Sequence, residues 1–167
     1  QCCEIMVNAD EYYRKLYLEP PGSNASWNTR DQHMTMTIMR LQEQLKKISK
    51  THEEQKIIVW AHNSHVKDAM ATERGSQSFD ENNAWNLGQM VRSMFGKDKV
   101  KIFGFYTYKG TVTASSKWNE SCKKYELKEA LDNSCEDFFH KVALSKNIKQ
   151  FFINTNKVKG EFFTTPY

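Results

Sequence analysis

The chain has 167 residues, of which 39% are hydrophobic and 26% charged, and a formal net charge of +4; with a mean hydropathy of −0.73 this is the profile of an ordinary globular chain. A chain of this length buries roughly two-thirds of its unfolded surface, so stability alone demands neither disulfides nor a bound metal. No apolar run approaches the ~18 residues of a membrane span, the start lacks a leader pattern, and the Lys excess is scattered among acids rather than clustered with aromatics as a nucleic-acid surface requires.

Opening on Gln1, the sequence reads as a processed product or an excerpt of something longer. Ile5, Met6, Ala9, Tyr12, Tyr13 and Leu16 recur at helical spacing and predict a helix over residues 4–18, closed by Pro20 and Pro21. Met34, Ile38, Leu41, Leu45 and Ile48 alternate by four and three and predict a second, stronger helix over residues 30–50. Its stripe spans barely two heptads, so a face packed on a sheet is expected rather than a coiled coil. The run Ile57-Ile58-Val59-Trp60-Ala61 is continuously apolar and β-branched, which predicts a parallel strand covered on both faces.

After a polar stretch over residues 62–82, Trp85, Leu87, Met90, Val91, Met94 and Phe95 predict a helix stopped by Gly96. A strand is expected over residues 100–106, a short one over 111–114, a helix over 136–144 and a third buried strand over 151–153. This alternation predicts an α/β fold, a mostly parallel sheet with flanking helices. Three strands leave exposed edges, so residues 1–167 are read as an incomplete portion of a larger domain.

Parallel sheets bind ligands beyond the carboxyl ends of their strands. His62-Asn63-Ser64-His65 occupies that place after the first strand. Imidazole exchanges protons near neutral pH, so it can take a proton from water and return it to a leaving group. The plain alternative is that His62 caps a strand end and His65 lies in a wet loop. Asp68 and Glu73 are candidates to accept the other ring N–H and fix a tautomer, or are solvated loop acids. Arg30 can bind a carboxylate or an oxyanion, while Asp31 beside it reads as a helix cap or a charge favoured by the helix dipole. His33 and His52 read as surface helix residues, and His140, beside Phe138 and Phe139, as a core or cap residue. Cys2, Cys3, Cys122 and Cys135 form no C-x-x-C pair and read as buried or free thiols.

Several ordered blocks carry a resemblance. Val59-Trp60-Ala61-His62-Asn63-Ser64-His65, then Ala71-Thr72-Glu73, Asn86-Leu87-Gly88-Gln89, Gly104-Phe105 and Gly110-Thr111-Val112-Thr113-Ala114 are similar to the erythromycin esterase-like family. Upstream, Ala9-Asp10-Glu11-Tyr12-Tyr13 and Trp27-Asn28-Thr29-Arg30-Asp31-Gln32-His33-Met34 extend it, as do Ala130, Leu131, Ser134, Glu136, Phe139 and His140 downstream. The resemblance implies a hydrolase of ester bonds, typified by macrolide lactone opening, in which a histidine general base activates water without an obligatory cofactor. By carry-over His62 and His65 line the site and orient water or stabilise the developing oxyanion, with Arg30 and Glu73 as polar neighbours; His62, His65 and Glu73 are thus the catalytic candidates, and Arg30, Asn63 and Asp68 the substrate-binding ones. Family members are longer, and their Gly-Glu-x-x-His type motif has no counterpart here. The principal base is therefore expected outside this chain, which alone is expected not to turn over esters.

Two alternatives stand beside this reading. His62, His65 and Glu73 form part of a ligand set for zinc in a metallohydrolase, and a catalytically inactive remnant would bind a ligand without turnover. The expected partner is a small-molecule ester, not nucleic acid or membrane. Free thiols favour a cytoplasmic chain, whereas use of the Asn24 and Asn119 sequons would place it outside the cell.

Overall fold

The structure, a computed structural model, describes residues 2–21, 23–49, 55–71, 83–117 and 120–157. The chain divides into two compact units, residues 1–104 and 105–167.

In the first unit, α1 (Cys2–Leu18) and α2 (Ala25–Ile48) form a helical hairpin. The interior of α2 has neither Pro nor Gly and is rich in Met, Leu, Gln, Glu and Lys, all strong helix formers. Glu4 pairs with Arg40, Asn8 Nδ2 meets His33 Nδ1 at 3.0 Å, and Lys15 Nζ donates to Thr29 Oγ1 at 2.9 Å. Partner numbers fall along α2 as they rise along α1, so the two helices run antiparallel. His33, expected at the surface, is thereby half-buried against α1.

Two shorter helices follow. α3 (Asn63–Val66) is a single turn capped by His62, whose Nδ1 accepts from the Ser64 N–H at 3.2 Å. A 3₁₀ turn at Ala69–Ala71 leads away from it. α4 (Leu87–Phe95) starts at Asn86, whose side chain accepts from the Gln89 N–H at 3.0 Å, and ends at Gly96 with φ 86. Among the described residues of this unit the buried apolar side chains are Ala69, Leu87 and Met90, outnumbered by buried Asn28, Thr29, Asp31, Thr35, Asn86 and Gln89. The interior where α4 meets α2 is therefore chiefly a hydrogen-bonded network. Thr35 Oγ1 donates to the Asp31 carbonyl at 2.9 Å, and Asn28 bonds the Asn83 carbonyl and the Trp85 N–H at 2.9 and 3.1 Å. Such a network specifies geometry more than it adds net stability, because each bond replaces one to water.

In the second unit, β1 (Gly110–Ala114) and β2 (Lys123–Leu127) pair antiparallel, with Gly110 opposite Leu127 and Ala114 opposite Lys123. α5 (Cys135–Ser145) is capped by Ser134, whose hydroxyl accepts from the Asp137 N–H at 3.2 Å. His140 stacks on Tyr108 with ring centroids 3.8 Å apart and planes 5° off parallel.

The helices stand close to their predicted places, and the protein mixes helix and strand, but the mostly parallel sheet is corrected to a two-stranded antiparallel hairpin. Residues 57–61, 100–106 and 151–153 join no ladder among the described residues. Ile58 is 93% and Trp60 85% exposed. An apolar run states that a strand needs cover on both faces; it does not supply the neighbours, and a strand exists only when another segment accepts its hydrogen bonds.

Candidate functional site

Trp27, Arg30 and Asp31 lie three and four residues apart in the first turns of α2 and so share one face. α3 brings His65 to that face. His65 Nδ1 lies 2.7 Å from Asp31 Oδ1, and His65 Nε2 lies 3.1 Å from Arg30 Nη2. The guanidinium only donates, so Nε2 must be the acceptor and the ring proton sits on Nδ1, facing the carboxylate. Asp31 thus holds the imidazole in one tautomer, with its basic nitrogen turned to Arg30.

Asp31 is 0% exposed and has a donor for each oxygen, since Oδ2 accepts from the Leu87 N–H at 2.9 Å. Burial pushes its carboxyl above the usual carboxylate range, against the pull of the Leu87 N–H, His65 and Arg30. Trp27 completes the site. Its ring stacks on the imidazole at 4.5 Å with planes 7° apart, and the Arg30 guanidinium carbon lies 5.2 Å from a Trp27 ring centroid. The indole N–H donates to the Trp85 carbonyl at 2.8 Å, which fixes the ring that supports both. The His65 side chain keeps 16% exposure, so the imidazole is reachable from solvent.

The remaining sequence candidates fall differently. His62 is exposed and its Nδ1 is engaged by the Ser64 N–H and hydroxyl, so it caps α3. Asn63 opens α3. Asp68 does not accept a ring N–H, as the sequence reading allowed; it pairs with Arg92 at 3.0 Å, its other oxygen buried without a bond. Glu73 lies outside the described residues, as do His52 and Asn119. Asn24 stands at the N-terminus of α2, half-buried. All four cysteines are free and exposed. Among the described residues no three His, Cys, Asp or Glu side chains converge as a metal ligand set, and no helix is long and apolar enough to cross a membrane.

The sequence presents Asp31 as a helix cap or a charge favoured by the helix dipole, and Trp27 as part of a motif. The available signal was the Trp27-x-x-Arg30-Asp31 spacing, which puts an aromatic, a cation and an acid on one helical face. A cavity of about 580 Å³, lined by Lys15, Asn28, Thr29, Gln32, Trp85 and Met90 among others, opens elsewhere. Its α2 residues Asn28, Thr29 and Gln32 lie on the face of that helix turned away from Trp27, Arg30 and Asp31.

A carboxylate-held histidine beside an arginine is an arrangement for moving a proton and stabilising an anion. The family model described as erythromycin esterase matches residues 1–165. The chain belongs to the erythromycin esterase family, which marks it as hydrolase-like by resemblance. No solved structure matches the chain.

Proposed function

We propose that the chain carries the proton-transfer half of a carboxylic ester hydrolase, with His65 as the general base. The observation that carries this reading is the Asp31–His65–Arg30 line, 2.7 Å on one side of the ring and 3.1 Å on the other. Asp31 keeps the proton on Nδ1 and stabilises the imidazolium that forms when Nε2 takes a proton from water. Arg30 occupies that lone pair before substrate arrives. When an ester enters, its carbonyl oxygen competes for the guanidinium, which frees Nε2 for the attacking water and places positive charge where the tetrahedral oxyanion develops. The resemblance put the principal base outside this chain; a fixed tautomer with a basic Nε2 supplies a proton acceptor within it.

The test is hydrolysis of an aryl ester and a macrocyclic lactone by the whole chain and by His65→Gln and Asp31→Asn variants. General-base loss is expected to lower kcat by about 10²–10⁴-fold in His65→Gln. Asp31→Asn is expected to lower it comparably, because its amide can accept from only one of the two donors it faces. No turnover by the wild-type chain, turnover unchanged in His65→Gln, or turnover lost only in His62→Ala overturns the assignment.

A further inference from the structure

We propose that the first turn of α4 is the positioning device for the His65 imidazole, with Asn86 and Gly88 as positioning residues. The proposal rests on the reading of His65 as the base, but its geometry stands apart from any turnover.

α3 is four residues long. One helical turn fixes many dihedrals for a single hydrogen bond and does not hold itself in water. What holds it is α4. Asn86, 2% exposed, donates through Nδ2 to the Ser64 carbonyl at 2.8 Å. That carbonyl belongs to the peptide whose nitrogen is His65's, so the bond sets the plane from which the imidazole projects. On the far side of His65, the Val66 and Lys67 carbonyls press against Gly88, where an added Cβ would lie 2.1 and 2.2 Å from their oxygens. Those neighbours are backbone and cannot swing aside, so no larger residue fits without driving the two segments apart. Between these contacts the Leu87 N–H holds Asp31 Oδ2 at 2.9 Å. The Asn86 cap and the first two residues of α4 therefore grip the peptide before His65, the carbonyls after it and the carboxylate that orients it. Any shift of this turn changes both members of the 2.7 Å pair together.

Asn86 has two separable jobs, because its Oδ1 caps α4 through the Gln89 N–H at 3.0 Å while its Nδ2 tethers α3. Asn86→Asp keeps a cap acceptor and has no donor for the tether, and Asn86→Ser keeps a cap acceptor on a side chain one atom too short to cap α4 and reach the Ser64 carbonyl together. Both would be made in the full chain, ¹⁵N-labelled, and compared with wild type for helix content, the downfield Nδ1–H resonance of His65, and kcat and KM on an aryl ester. The expected result is wild-type helix content, loss or broadening of the Nδ1–H signal, and kcat lowered about 10-fold or more with KM within about 2-fold, the pattern of a misplaced catalytic group. Gly88→Ala is expected to abolish the same resonance. A retained sharp Nδ1–H signal with wild-type kcat in Asn86→Asp overturns the clamp. If wild-type turnover does not depend on His65, the base reading fails while the resonance still decides the clamp.

Discussion

Two buried carboxylates in this chain are held in opposite ways. Burial raises Asp31 above its ordinary value, whereas the Lys141 ammonium, at 2.7 Å, and the Asn133 N–H, at 2.9 Å, hold Asp137 below its own. The signs of their pH effects follow. Above the ordinary carboxylate pKa the unfolded chain has released the Asp31 proton while the folded chain still keeps it, so Asp31 opposes folding increasingly as pH rises through that window. Asp137 does the reverse: its contribution is present above the ordinary value and disappears as pH falls through its depressed one. Urea midpoints of the full chain between about pH 3 and about pH 6 check this. Asp137→Asn is expected to flatten the rise of stability with pH, and Asp31→Asn to steepen it.

At the scale of elements, local sequence decides where helices stop. Gly96 adopts φ 86 and ψ 149 as α4 ends, a conformation that side-chain-bearing residues rarely enter, and nothing crowds its Cβ position. Gly96→Ala is therefore expected to destabilise the chain by about 1–3 kcal/mol through backbone strain alone, read as a lowered urea midpoint with unchanged slope. The same locality explains what could be read from sequence. The apolar spacing along α1 and α2 and the Gly96 stop are contained within a few residues, and the structure has each. Strands over residues 57–61 and 100–106 were not legible, because pairing depends on a distant segment. Asp31 failed for a related reason. The apolar stripe predicts a helix starting at residue 30 and so makes Asp31 look like a cap, whereas α2 begins at Ala25 and has no acid in its first turn; nothing near Asp31 in sequence points to His65, 34 residues away. Arg30, expected to bind a carboxylate or an oxyanion, meets the His65 ring nitrogen at 3.1 Å, a partner similarly distant in sequence.

Across the described residues of the molecule, few apolar side chains reach the interior. Ile58, Trp60, Phe103, Phe105 and Tyr106 are exposed, and the buried positions of the first unit are mostly polar. Cooperative unfolding draws on apolar burial, which stabilises by about 25 cal/mol per Å², whereas hydrogen bonds within the chain largely replace bonds to water. The isolated chain is accordingly expected to unfold over a broad range, with far-UV and near-UV circular dichroism giving different midpoints. Coincident sharp transitions would mean that the polar network between α2 and α4 suffices to hold the fold together.

The stacking of Trp27 on His65 gives the site a signal of its own. An indole stacked 4.5 Å from an imidazole, nearly parallel to it, exchanges charge with the ring on excitation far more readily when that ring is protonated. Light emitted by Trp27 therefore dims as His65 gains a proton, and the molecule reports the state of its proton acceptor without any added dye.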